Sequence, residues 1–312
     1  MSNTAASKRT DSNPANPKAT GSKSSGPATL SLILLLAVGS SLALQTTIAK
    51  VAAGVGTPLL SFLSLAILGA GALLLIRAPK PRLSPGLLAY TAVSGALFAL
   101  PNALGFLAVA ELGAGFVAII FAFVPLLTWA LAVLIGMERA LKQRAFGVLL
   151  ALSGAIALSL SKLQGDGAGG TWVLITLSFP LMLATGNLFR SRFWPQDVSP
   201  VFLAGSMLFA GGLYVAPFAL MIEGVSLVQI PATLPLLGAE TLIFALSFFL
   251  YFQLQSRAGA VYLSQIGPVI ALMGAVIAVL ALGETLPQMV WPAGALIAIG
   301  TLTFHRARVP SA

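Results

Sequence analysis

No cysteine occurs in the 312 residues, which excludes a disulfide framework, a thiol nucleophile and a thiolate metal site. Charge is nearly as scarce, at 8% Asp, Glu, Lys and Arg, where soluble domains average about 25%. The one histidine, His305, stands beside Arg306. Without a second histidine, neither a His-based metal cluster nor a spare Ser/His/Asp set can be assembled. No Gly-rich phosphate loop is present, so a nucleotide-driven pump has no binding element. No aspartate falls inside an apolar run. An enzyme lacks its equipment here, and neither a cofactor nor a bound metal is expected.

What fills the chain instead is apolar: 58% of the residues are hydrophobic. Ten apolar segments can be drawn, at roughly 30–49, 57–76, 85–107, 113–136, 145–161, 171–189, 199–222, 233–254, 259–281 and 287–304. Each is about long enough to cross a bilayer as a helix. The first is longer than a secretory h-region and reads as a span rather than a cleaved signal. Residues 85–136 hold one charge, Glu111, yet are too long for one crossing, so ELGAG (111–115) is the natural turn. QSRAG (255–259) divides the eighth and ninth spans in the same way. Residues 1–28 are polar and without an apolar run, and read as a disordered tail.

The basic residues test this count, because cytoplasmic loops carry an excess of Lys and Arg. With the tail in the cytoplasm and sides alternating, only Lys50 and Lys162 of the 17 Lys and Arg residues fall on the far side. Nine or eleven spans would spoil that segregation. The expected fold class is therefore an all-α membrane protein of ten transmembrane helices, in the cell (inner) membrane, with both termini cytoplasmic. The net charge of +9 is an orientation signal, and no nucleic-acid partner is expected.

The two halves, 29–163 and 171–305, echo one another around QGDGAGG (164–170). The fourth span carries Pro125 and then Glu138; the ninth carries Pro268 and then Glu284. GVLLALSG (147–154) follows in the fifth span and AGALIAIG (293–300) in the tenth. In both, small residues seven apart share a helix face, which suits close packing. Five spans per half is an odd number, so the second copy enters the membrane inverted. Inverted repeats around a midplane site are the architecture of alternating-access carriers.

These paired Pro-to-Glu segments, with ATGNLFRSRF (184–193) closing the sixth span, resemble the drug/metabolite transporter superfamily, in particular its EamA-type ten-span members. The resemblance covers residues 30–305. GSS (39–41) stands where that family often has Trp-Gly, and GME (136–138) where it has GE. It implies a secondary carrier of a small organic metabolite, amino acid-like or drug-like, exporting it as a monomer or homodimer. A channel or lipid scramblase could reuse the same polar stripes, and is the alternative reading.

Polar residues inside the spans are the candidate substrate contacts. In LGAETLIFALSFFLYFQLQS (237–256), Glu240 shares a face with Ser247, Tyr251 and, slightly off the stripe, Gln255, all within about 60° at 3.6 residues per turn. A carboxylate on such a stripe is a functional candidate, for a cation or for proton coupling. Ser41 and Gln45 lie one turn apart in the first span. Thr91, Ser94, Phe98 and Asn102 form one face of the third, where Pro101 frees a carbonyl. Gln265 precedes Pro268 by three residues. Thr185 and Asn187 lie on opposite faces of the sixth span, so one of them points inward. Glu138 and Glu284, with Pro125 and Pro268, are candidate helix-break or gating residues, and the carboxylates also suit capping of a helix N-terminus. No cation lies deep in a span by this count, which disfavours strongly anionic substrates.

Overall fold

Long apolar runs between glycine and Ser-Pro punctuation dictate where the helices start and stop. A computed structural model describes residues 28–163, 169–224, 233–285 and 288–306. The tail, most of the 164–170 linker and Pro287 lie outside the described residues, as do the side chains of Lys162 and His305. The regular elements among the described residues are all helical: α1 (Ala28–Gly54), α2 (Leu59–Arg77), α3 (Pro85–Leu112), α4 (Ala114–Ile120), a 3₁₀ turn (Phe121–Phe123), α5 (Val124–Leu134), α6 (Lys142–Leu163), α7 (Gly169–Arg192), α8 (Pro200–Glu223), α9 (Thr233–Leu263), α10 (Ile266–Leu282) and α11 (Val290–Arg306). No strand occurs among them. Seven of these segments are long and apolar enough to cross a membrane, α4 through α5 counting as one; α10 and α11 are apolar and shorter.

Local chemistry explains the ends. Ser84 and Ser199 each accept a hydrogen bond from the backbone N–H three residues on, at 3.2 Å, and a proline follows each in the first turn. The cap satisfies a free N–H, and the proline's missing donor costs nothing there. Gly113 (φ 88°) separates α3 from α4, and Gly259 (φ 75°) interrupts α9. Both turns expected at ELGAG and QSRAG thus reduce to one left-handed glycine, a conformation costly for residues with a Cβ. Each glycine is followed by a short helical stretch, an irregular turn and a helix with proline near its start, at Pro125 and Pro268.

Packing is tightest where the small residues sit. A Cβ on Gly147 would lie 2.6 Å from the Gly300 carbonyl, and one on Gly154 2.8 Å from that of Ala293. The two small-residue faces therefore lie against each other, antiparallel, in the α6–α11 pair. The α2–α8 pair is joined in the same way around Gly71 and Gly205. Without a hydrophobic drive between helices in lipid, such close backbone approach is a main source of association. The outward faces are apolar: Leu134, Met221, Leu280 and Trp291 are 77–83% exposed. That is the reverse of a water-soluble surface, and marks a multi-pass membrane protein.

Candidate substrate cavity

Helices α1, α3, α4, α5, α7, α9 and α10 surround an internal cavity of about 90 Å³. Its walls are mainly apolar, with Phe98, Phe106, Phe121 and Phe248 prominent. Phe98 meets Phe248 edge to face at 4.9 Å, and Phe106 stacks on Phe244 at 6.3 Å. The shape holds because the α10 backbone comes close to the α4–α5 break: a Cβ on Gly267 would collide with the Phe121 carbonyl. The two proline-bearing segments thus meet at the cavity wall.

Of the residues expected to contact substrate, Gln45, Phe98, Asn102 and Tyr251 line this cavity. Ser94, Glu240, Ser247 and Gln265 do not. Ser247 lies directly behind the wall, accepting a 3.3 Å hydrogen bond from Gln45 Nε2. Gln265 donates to the Val261 carbonyl at 3.4 Å in the turn before α10. Ser94 is fully buried and its hydroxyl has no hydrogen-bond partner among the described residues. Glu240 is also fully buried, with no hydrogen-bond partner for either carboxylate oxygen among the described residues. Its α9 neighbour Phe244 sits in the aromatic cluster instead. Asn102 Nδ2 donates to the Phe98 carbonyl at 2.7 Å.

One polar group at the cavity went unanticipated. Arg190, in the last turn of α7, is only 4% exposed and lines the cavity. Two residues on, Arg192 is exposed. An Arg190 amino group donates to Asn187 Oδ1 at 2.6 Å and to the Tyr251 hydroxyl at 3.0 Å. The guanidinium also stands 5.6 Å from the Tyr251 ring centroid, and its other amino group reaches Met207 Sδ at 3.6 Å. Tyr251 in turn donates to Asn187 Oδ1. Gln255 Nε2 fixes the helix beneath by donating to the Asn187 carbonyl and Ser191 Oγ, both at 3.1 Å. Asn187 is therefore the inward residue of its pair, and Thr185 faces out. No carboxylate lies within ion-pair distance of Arg190 among the described residues. A buried cation thus borders the cavity, although Arg190 stands at the end of its span and not deep within it. The physical reason is helical phase: Arg190 sits three residues after Asn187, on the same inward face.

The two glutamates that follow Pro125 and Pro268 behave differently. Glu284 accepts hydrogen bonds from Ala114 N and Gly115 N, at 2.9 and 3.0 Å, capping α4 rather than the helix that follows it. Glu138 is 3.8 Å from Arg144, whose guanidinium lies over the Phe304 ring at 5.1 Å. Lys50 Nζ and the Ala110 carbonyl, 3.2 Å apart, add a further tie near the Glu284 end.

No family model and no curated protein matches the sequence. Solved structures do match. One, described only as "Crystal structure of protein", superposes with a TM-score of 0.61 at 17% identity, over 88% of this chain and 96% of that one. The two chains share a fold.

Proposed function

We propose that the chain is a secondary carrier for a small organic metabolite, built as ten spans in two inverted five-span repeats. The observation that carries this reading is the cavity itself, which takes its lining from both halves of the chain. A site at a repeat interface, bordered by interrupted helices, suits alternating access. The helix pairing supports the repeat. If α1, α2, α3, α4–α5 and α6 correspond in order to α7, α8, α9, α10 and α11, the main contacts exchange among themselves. Thus α3–α8 corresponds to α2–α9, α1–α9 to α3–α7, and α1–α10 to α7 with α4–α5, while α2–α8 and α6–α11 map onto themselves. The positive-φ glycines also recur in register, Gly113 and Gly136 against Gly259 and Gly283.

On this reading the protein is an exporter of the inner membrane, with both termini cytoplasmic, of the EamA kind that its motifs resemble. Purified protein in proteoliposomes, screened with a metabolite panel with and without a pH gradient, tests it. Saturable uptake stimulated by substrate on the far side identifies a carrier. Non-saturable flux without counterflow identifies a channel or scramblase and removes the proposal.

A further inference from the structure

Arg190 is the unusual group at this cavity. A guanidinium carries five N–H donors and cannot shed its charge. Here it is almost wholly buried, and its hydrogen-bonding partners are an amide oxygen, a phenol and a thioether, all neutral. Its Nε has no hydrogen-bond partner among the described residues. Burying an uncompensated cation is costly, and natural structures keep one there when an anion arrives to meet it. The supporting residues hold the guanidinium plane in place without neutralising it: Asn187 and Tyr251 bind one amino group and each other.

Resting on the carrier reading above, we propose that the cavity selects a small organic monocarboxylate with a compact apolar body, its carboxylate seated against Arg190. Three further features fit that class. Arg190 is the one cation lining the cavity among the described residues, which matches one negative charge rather than a phosphate dianion. The remaining walls are aromatic and aliphatic, so the rest of the molecule is apolar. The volume of about 90 Å³ lies far below the roughly 300–1,000 Å³ of sites for drug-sized ligands, which limits the body to a short branched chain or a single small ring.

The test uses the full-length protein purified in detergent, with thermal unfolding as the binding readout. The probes are isovalerate and benzoate, set against isovaleramide and benzamide, which keep the shape and lose the charge. Hydrogen bonds to a charged group predict that each acid stabilises the protein at about ten- to hundredfold lower concentration than its amide. Arg190→Gln should abolish that difference, and Arg190→Lys should retain part of it. Equal potency of acid and amide overturns the proposal, as does a native protein stabilised by neither acid, or an Arg190→Gln protein that still prefers acids. If the Gln variant does not fold, the acid–amide comparison on the native chain decides alone. Acid preference without counterflow in proteoliposomes removes the carrier reading and leaves the site standing. Counterflow of a neutral or cationic solute by both native and Arg190→Gln protein removes the site and leaves the carrier.

Discussion

Gly71→Ala places one methyl group into the α2–α8 contact. The added Cβ would sit 2.6 Å from Phe209 N, 2.8 Å from the Gly205 carbonyl oxygen and 2.9 Å from Phe209 Cα. All three are backbone atoms, so no side chain can rotate away. The first lies roughly 1 Å inside the optimal van der Waals separation of about 3.5–4.0 Å, and the helices must part to relieve it. Overpacking of this kind costs about 1–3 kcal/mol, and alanine's better helix propensity returns about 1. With three backbone contacts under 3.0 Å the cost falls in the upper part of that range, about 2–3 kcal/mol, and the net expectation is a loss of about 1–2 kcal/mol. Gly238→Ala is the matched control: it lies on α9, exposed, and beyond its own turn of helix no atom of the described residues comes within 4 Å of the added methyl. There the propensity gain acts alone, and stability should rise by up to about 1 kcal/mol. Reversible unfolding in mixed micelles measures both. The same substitution should shift the midpoint in opposite directions at the two sites. A Gly71→Ala protein as stable as the native one would refute the packing argument.

Removing the α4 cap with Glu284→Ala should cost about 1–2 kcal/mol of stability, whereas Glu138→Ala, at a partly exposed ion pair, should change it by less than about 1; chemical unfolding of both variants compares them. Glu240→Gln keeps shape while removing the ionisable group. Because Glu240 is buried outside the cavity lining, transport and its pH profile in proteoliposomes should be unchanged, with thermal stability held or raised; a sharp fall in transport with loss of its pH dependence would overturn the assignment to packing. Tyr251→Phe deletes the hydroxyl bonded to both Asn187 and Arg190, and should weaken substrate affinity several-fold in a binding titration while the protein stays folded. Because the native chain has no cysteine, single cysteines placed at positions 3 and 311 report topology without background. Both should react only with membrane-permeant reagents in intact cells, and labelling of either by an impermeant one overturns the expected orientation.

Composition and punctuation located the long apolar helices, though not the break at Phe121–Phe123 inside the segment drawn as one span at 113–136. Apolar length decides what can lie in a bilayer, and Ser84-Pro85, Ser199-Pro200, Gly113 and Gly259 act through their own backbone preferences, which need no tertiary partner. The small-residue stripes were legible for the same reason, since a helix face follows from spacing. The sequence could not say which stripe meets which; the pairing of Gly147 with Gly300 and of Gly154 with Ala293 depends on how α6 and α11 dock.

The site divides along the same line. Gln45, Phe98, Asn102 and Tyr251 were readable as polar or aromatic residues on helical faces, and they do border the cavity. Glu240 was equally conspicuous in one dimension, yet its side chain is buried outside the cavity lining. Arg190 was passed over because a basic residue near the end of a span counts first as a topology signal. Contacts with Met207 on α8 and Tyr251 on α9 hold it inside, whereas Arg192, two residues on, is exposed. Whether a charge near a helix end marks orientation or binding depends on what covers it, and coverage is set by helices distant in sequence.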